Sequence, residues 1–162
     1  MIDGIDAEIL KILQGNARTS NAEIARQVGL AASAVFERIR KLEERGVIEG
    51  YSARVNPKVV ELPLLAFIFV RADDRRADET AEQVAAIPGV LEVHDVAGED
   101  CLLVKVRATD TEALGRLLRD RFGRIDSITS TRTTIVLETV KESAELPIAV
   151  APAGVEAETV RV

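Results

Sequence analysis

The segment 33–45 carries cationic side chains in a pattern suited to binding phosphate groups. At about 100° per residue, a helix over this segment has a polar face opposite an apolar stripe. Guanidinium and ammonium groups donate hydrogen bonds to phosphate oxygens and guanine edges, and small residues at the start of a helix allow it to enter a major groove. We therefore predict contact with double-stranded DNA through this face and its shoulders: Ser33, Ala34, Glu37, Arg38, Arg40, Lys41 and Arg45.

Glu37 is the residue that fits this prediction least well, because a carboxylate on a DNA-facing surface repels phosphate. It could accept a hydrogen bond from the N4 amino group of cytosine and so specify a base. It could also pair with Arg40 or Lys41 along the helix. We favour the pair within the helix.

The elements that would position these side chains form a helix-turn-helix. Ser20 and Glu23 have the S-x-x-E spacing of a capping box, in which the serine hydroxyl accepts from a first-turn amide and the glutamate reaches back. Gly29 falls where the first helix must end, a position that favours a left-handed backbone. One apolar stripe would pack inward from the second helix: Val35, Phe36, Ile39 and Leu42. The alternative is an ordinary amphipathic helix pair in a bundle.

A second polar cluster lies at a predicted hairpin, at Gly98-Glu99-Asp100. Its carboxylates suit a ligand ammonium and its free amides suit a ligand carboxylate, whereas the alternative is a plain polar turn. Thr131, Thr133 and Thr134 could add hydroxyl groups, although threonine is also simply common in strands. A metal cluster of His94, Asp95, Glu99 and Cys101 is a weaker alternative, because the chain has a single histidine and no ligand-spacing motif.

Composition limits the classes of function. The 162 residues are 47% hydrophobic and contain one cysteine and no tryptophan, which predicts a folded protein of the reducing cytoplasm and disfavours a base-stacking RNA binder. No signal peptide or membrane span is expected. The net charge of −6 divides into +1 for residues 1–60 and −7 for the remainder, so DNA should stay on the first domain. No Ser-His-Asp set or phosphate-binding glycine loop indicates an enzyme.

The remaining elements predict an α+β protein. A helix over 5–13 would pack behind the helix-turn-helix, and 47–55 is expected to be an extended strand that Asn56-Pro57 ends. Strands over 64–71, 90–97, 101–107 and 125–140 alternate with helices over 78–87 and after Asp110 in the ferredoxin-like order βαββαβ. One sheet face would lack a cover, so homodimerisation through it is expected. Candidates for that face or for the core are Leu64, Phe67, Phe69, Leu103 and Val136.

The predicted domains are a winged helix-turn-helix over 1–50, a linker strand over 51–62, a ferredoxin-like ligand-binding and oligomerisation domain over 63–145, and a tail over 146–162 that is mobile or adds an edge contact. Several segments agree in order with one known family: Asp6-Ala7-Glu8-Ile9-Leu10, Leu42 to Tyr51, Pro88-Gly89-Val90, Val96-Ala97-Gly98-Glu99-Asp100, Lys105-Val106 and Thr131-Arg132-Thr133. Over residues 2–147 the chain thus resembles the Lrp/AsnC family, the leucine-responsive or feast/famine transcription regulators of bacteria and archaea.

The resemblance implies how such a protein works. Its first domain would bind DNA as a dimer, and its second would form dimers through the sheet and then tetramers or octamers. An amino acid or related small molecule would bind between dimers near Gly98 and change DNA affinity or assembly; no other cofactor is implied. The residues expected at that site are Gly98, Glu99, Asp100, Thr131, Thr133 and Thr134.

Two departures from the family pattern matter. Asp100-Cys101 stands where many members have Tyr-Asp, which leaves the effector's identity open, and Ala31-Ala32 replaces a capping serine and a proline. The predicted function is a sequence-specific DNA-binding regulator that responds to an amino acid. The alternatives are an architectural DNA-wrapping protein, which would give a long phased footprint, and a metabolite sensor without a specific operator.

Overall fold

The computed structural model describes residues 2–149, and these divide into two compact units. One unit combines residues 2–53 with 142–149, and the other comprises residues 54–141. Of the predicted C-terminal tail, residues 150–162 lie outside the described residues.

Three helices build the first unit: α1 (Gly4–Gly15), α2 (Asn21–Val28) and α3 (Ala32–Glu44). The predicted helix behind the helix-turn-helix and the two helices of the motif are thereby confirmed. Helix α1 begins with a reciprocal capping box that the sequence analysis missed. The Asp6 amide donates to the Asp3 carboxylate at 2.8 Å, and the Asp3 amide donates to the Asp6 carboxylate at 3.2 Å.

The start of α2 and the turn into α3 follow the predicted residues with one exception. The Ser20 hydroxyl accepts from the Glu23 amide at 3.2 Å, as expected for an N-cap. The Glu23 side chain does not reach back, because it pairs with Arg26 and accepts from Gln27 instead. Gly29 ends α2 with φ of +70°, in the left-handed region that favours glycine. The helix-turn-helix therefore rests on the predicted serine and glycine.

The core of this unit is small and lies between the three helices. Ile9, Ile24, Ala25 and Val35 are buried together, and Ile39 packs against them. Phe36 was expected in the same stripe but is 53% exposed, so that prediction was wrong. Phe36 lies about 60° around the helix from Ile39, outside the arc spanned by Val35, Ile39 and Leu42. It therefore lies beyond the part of α3 that packs into the core.

Residues 47–63 form no strand, in contrast to the extended strands predicted over 47–55 and 51–62. A strand needs a hydrogen-bonded neighbour, and no described segment pairs with these residues. Asn56-Pro57 instead starts a turn, in which the Val59 amide donates to the Asn56 carbonyl at 3.1 Å and the Leu62 amide donates to the Pro57 carbonyl at 2.7 Å. The predicted break at Asn56-Pro57 is confirmed.

The second unit has the predicted βαββαβ order. Its elements are β1 (Leu64–Ala72), a 3₁₀ turn (Asp74–Arg76), α4 (Ala77–Ala85), β2 (Val90–Asp95), β3 (Leu102–Ala108), α5 (Thr111–Asp120), a 3₁₀ turn (Phe122–Arg124) and β4 (Ile128–Ile135). The four strands pair antiparallel in the order β2-β3-β1-β4, which is a ferredoxin-like sheet. Strand β4 is shorter than the predicted 125–140 at both ends: a turn precedes Ile128, and the pairing with β1 ends at Ile135, opposite Ala66.

The two faces of the sheet differ as the strand alternation requires. Ile68, Val70, Val104 and Val106 are fully buried under α4 and α5. Leu64 also packs against this core, which settles one of the undecided positions. Phe67, Phe69 and Leu103 alternate with the core residues and lie partly exposed on the opposite face, the open face. No described helix has the length and apolar content needed to cross a membrane.

Candidate DNA-binding surface and effector site

The outer face of α3 is polar and open in the described structure. Helix α3 begins without a side-chain cap, because Ala31 occupies the N-cap position. Small side chains follow at the first turn, where Ser33 is exposed and Ala34 is half-buried. The predicted contact residues Glu37, Arg40, Lys41 and Arg45 are likewise exposed. The structure therefore brings these six predicted residues to one accessible helix surface.

Glu37 takes part in a chain of ion pairs along α3. The Arg40 guanidinium contacts the Glu37 carboxylate at 2.8 Å and the Glu44 carboxylate at 2.5 Å. These two carboxylates raise the pKa of Arg40. The structure thus contains the intrahelical pair that the sequence analysis favoured for Glu37. Lys41 makes no ion pair with a described residue, so its ammonium is available to a phosphate.

The Arg38 side chain forms ion pairs with the start of α1. One guanidinium nitrogen, Nη1, lies 2.7 Å from the Asp3 carboxylate and 2.7 Å from the Asp6 carboxylate. The Asp6 side chain is only 11% exposed, and that of Arg38 is 31% exposed. Both contacts raise the pKa of Arg38, and the Asp6 amide together with Arg38 lowers the pKa of Asp3. The Arg38 clasp, as we call this arrangement of Arg38, Asp3 and Asp6, joins α3 to the capped start of α1.

The turn after β2 holds the second candidate site. Gly98 and Glu99 are exposed, and their amides donate no hydrogen bond to a described residue. Asp100 is partly buried and pairs with Arg132 of β4 at 2.9 Å. The Arg71 side chain of β1 donates to the Glu99 carbonyl at 3.0 Å. The turn is therefore held by two arginines from neighbouring strands.

Arg71 and Arg132 are the residues near this turn that sequence reasoning missed. The Arg132 guanidinium also stacks on the Phe69 ring, with its central carbon 4.1 Å from the ring centroid. Phe69 lies opposite Arg132 in the β1–β4 register, so the stacking follows from strand pairing. Such a neighbour could have been found only once the register was known.

The three predicted threonines do not share one face of the sheet. Thr131 pairs with Val70 and Thr133 pairs with Ile68, which places both on the face that carries the core. Thr134 pairs with Phe67 and lies on the open face, together with Arg132. Thr134 therefore shares a face with the arginine that contacts the turn, whereas Thr131 and Thr133 do not.

The weak alternative of a metal cluster has no support among the described residues. The His94 ring is hydrogen-bonded to Glu92 at 3.3 Å on the open face, and Asp95 follows on the opposite face. The Cys101 thiol donates to the Ala72 carbonyl at 3.6 Å. No group of three or more candidate ligands occurs in residues 2–149.

Each of the two units resembles a known protein family. A family model for winged helix-turn-helix DNA-binding matches residues 2–49, and the model of the Lrp/AsnC ligand binding domain matches residues 65–146. The chain is 40% identical over 147 residues to the HTH-type transcriptional regulator FL11 of Pyrococcus horikoshii, which covers 91% of this chain and 97% of that protein.

Two solved structures are similar over almost the whole length. One is a transcriptional regulator from Neisseria meningitidis in complex with L-Met, at 31% identity and a TM-score of 0.86, covering 91% of this chain and 97% of that chain. The other is the feast or famine regulatory protein from M. tuberculosis complexed with L-methionine, at 34% identity and a TM-score of 0.84, covering 90% and 99%. The chain thus belongs to the Lrp/AsnC family, and it is a helix-turn-helix transcriptional regulator and not an enzyme.

Proposed function

We propose that this regulator reads its operator with the exposed face of α3 and that an amino acid bound at the turn 98–100 changes its DNA affinity or assembly. The observation that carries the DNA half is the exposed Lys41 on the same helix face as the small residues Ser33 and Ala34. A helix that begins with small side chains can approach base edges, and a cation one or two turns later reaches the phosphate backbone.

The remaining members of the face have distinct roles in this proposal. Arg40 and Arg45 supply further cations beside Lys41, and Ser33 can donate to or accept from a base. Glu37 holds Arg40 in place until DNA is bound. Arg38 contributes through the clasp that fixes α3 against α1 rather than through a direct phosphate contact.

The effector half is supported by the chemistry of the turn and by the relatives. The amides of Gly98 and Glu99 suit the carboxylate of an amino acid, and the exposed Glu99 carboxylate suits its ammonium. Arg132, 65% exposed, can also receive the ligand carboxylate while it remains stacked on Phe69. Both similar structures contain L-methionine, so we take a neutral amino acid as the first effector to test.

The open face of the sheet supports self-association of the chain. Phe67, Phe69 and Leu103 form an apolar strip there that a second copy of the chain would cover. We propose a homodimer through this face, with further association to a tetramer or octamer that brings turns from different dimers together. Several DNA-binding heads on one assembly would compensate for the few cations on each α3.

A gel-shift titration on the DNA immediately upstream of the gene for this chain tests the DNA half. Binding at physiological salt with excess competitor DNA should survive Lys11→Ala on α1 and weaken in Lys41→Ala. The slope of log affinity against log salt should fall in Lys41→Ala by about 0.9 for each α3 that contacts the DNA, and so by about 1.8 for a dimer with both heads bound. Equal affinity and slope in both variants would contradict the assignment of α3.

The same titration with L-methionine, or with a mixture of amino acids, tests the effector half. The shift should change with effector in the unmodified protein and in Glu82→Gln, an exposed carboxylate on α4. It should not change in Glu99→Gln, which still binds DNA when effector is absent. A Glu99→Gln protein that responds normally would place the effector elsewhere.

A further inference from the structure

A basic groove lies in the second unit between the C-terminal ends of α4 and α5, away from the turn 98–100 in the sequence. Two adjoining shallow depressions, open to solvent and of about 530 and 330 Å³, form it, and they share Asp120, Arg121 and Arg124 as lining residues. Arg116 and Leu117 line one end and Gln83 lines the other. We call this feature the arginine groove.

The charge of this segment is opposite to that of the rest of its domain. Residues 54–141, the second unit, hold 13 lysines and arginines and 15 aspartates and glutamates, a net charge of −2. Residues 116–124 hold four arginines and one aspartate, a net charge of +3, so the rest of the unit carries −5. Three of those four arginines line the groove. Cations concentrated in one concave site of an otherwise acidic domain attract anions to that site.

The guanidinium groups of Arg121 and Arg124 have no ion-pair or hydrogen-bond partner among residues 2–149, and both side chains are exposed. Arg116 is different, because it pairs with Glu112 one turn earlier on α5. Asp120 is the only carboxylate among the described lining residues. The guanidinium groups of Arg121 and Arg124 are therefore available to a ligand, and Asp120 is the single carboxylate that would repel an anionic ligand.

The position of these arginines near the end of α5 has a simpler partial explanation. Cations at the last turn of a helix interact favourably with the helix dipole, and Arg119 satisfies that condition without lining the groove. Arg124 lies beyond α5, in the following 3₁₀ turn, and still converges on the cavity that Arg121 lines. The dipole explains a cation at the end of the helix but not this convergence.

We propose that the arginine groove binds phosphate groups, as a site separate from the α3 surface and from the effector turn. Arginine guanidiniums bind phosphate through paired, charge-assisted hydrogen bonds. Leu117 and Ile87 form apolar parts of the walls and can contact the non-ionic portion of a ligand. The phosphate belongs either to a free nucleotide or to the backbone of DNA that is bound by the assembly.

Two charge-matched variants of the full chain test the proposal. Arg121→Gln/Arg124→Gln removes the unpaired guanidiniums, and Arg75→Gln/Arg119→Gln removes two exposed arginines of the same unit that do not line the groove. Light scattering first verifies that both retain the parental assembly. Calorimetric titrations with pyrophosphate and with ATP at low salt then measure the affinity of the groove for free phosphate ligands. The salt dependence of DNA binding measures whether the groove contacts the phosphates of the DNA backbone.

In the groove variant we expect either pyrophosphate or ATP affinity to fall by about tenfold or more, or the DNA salt slope to fall by about 2 for each groove that contacts the DNA. The first result identifies a nucleotide as the source and the second identifies DNA. Asp120→Asn should raise the affinity that the groove variant lowers, because it removes the opposing charge. The proposal is overturned if the two charge-matched variants behave alike in both assays. It is equally overturned if the groove variant only changes the assembly state, since the groove is then an interface between copies.

Discussion

The Arg38 clasp gives a prediction that separates folding from DNA recognition. In Arg38→Ala, the nearly buried Asp6 carboxylate loses its countercharge, and the more exposed Asp3 loses a surface partner. A hydrogen bond to a charged group contributes about 1.5–3 kcal/mol, and an exposed ion pair contributes about 0–1 kcal/mol. Because the Arg38 side chain is itself 31% exposed, we expect the free energy of unfolding of the first unit to fall by about 2–3 kcal/mol.

The chain provides a selective probe for this measurement. Tyr51 is the only tyrosine, there is no tryptophan, and Tyr51 belongs to the first unit. Urea unfolding followed by tyrosine fluorescence therefore reports the first unit, and the midpoint should fall by about 1–2 M in Arg38→Ala. Lys41→Ala should unfold like the parent protein and bind DNA less well. In an Asp6→Asn background, Arg38→Ala should cost about 1–2 kcal/mol less, because the charge it neutralises is gone.

Acid titration gives an independent check of the same contacts. The lowered pKa of Asp3 means that its ionised form stabilises the folded unit above the ordinary value of 3.8. That contribution is lost as the pH falls below 3.8 through the lower folded-state pKa. Arg38→Ala should show a smaller loss than Lys41→Ala over this range. An Arg38→Ala protein with normal urea and acid unfolding but weakened DNA binding would refute the clasp and support a direct phosphate contact.

Three further predictions concern the first unit. Gly29→Ala should lower its free energy of unfolding by about 1–2 kcal/mol, because the new side chain meets open space and only the left-handed backbone opposes it; urea unfolding measures this. Absorbance titration of phenolate should place the pKa of Tyr51 at about 12, raised by partial desolvation of this half-exposed side chain and by its hydrogen bond to Glu43, and Glu43→Gln should lower it only in part. Gln14→Ala should remove hydrogen-exchange protection from the Leu146 amide, which donates to the Gln14 side chain at 2.7 Å while the Leu146 carbonyl accepts from it at 3.0 Å.

Local signals in the sequence determined most of the fold. Ser20 and Gly29 marked the start and end of α2, because capping and left-handed turns depend on single residue types. An apolar run identified β1, and the turn at residues 98–100 placed β3 after it. The predicted strand over 47–55 is wrong because strand formation depends on a partner, which the local pattern does not specify. The predicted end of β4 at residue 140 is also wrong, since its pairing with β1 ends at Ile135, opposite Ala66.

The candidate sites were less predictable, because they depend on contacts between distant residues. The helical periodicity of α3 placed Arg38 at the edge of the polar face. It could not show that Arg38 would contact Asp3 and Asp6, over thirty residues earlier in the chain. Arg132 was missed for the same reason, since its contact with Asp100 requires the pairing of β4 with β1. The separation of Thr133 from Thr134 was available from strand alternation and should have been predicted.

Arg38 and Arg40 show why two neighbouring arginines on one helix have different consequences for DNA binding. The partners of Arg40 lie on its own exposed face and are about half exposed themselves, so solvent already screens these pairs and exchanging them for a phosphate costs little. One of the two partners of Arg38 is the almost buried Asp6, which would be left as an uncompensated charge if Arg38 turned to DNA. We therefore propose that Arg40 switches from Glu37 to a phosphate when DNA binds, and that this step frees Glu37 to accept from a cytosine. In this proposal the two roles considered for Glu37 are successive states of one residue, the ion pair before DNA binding and the base contact after it.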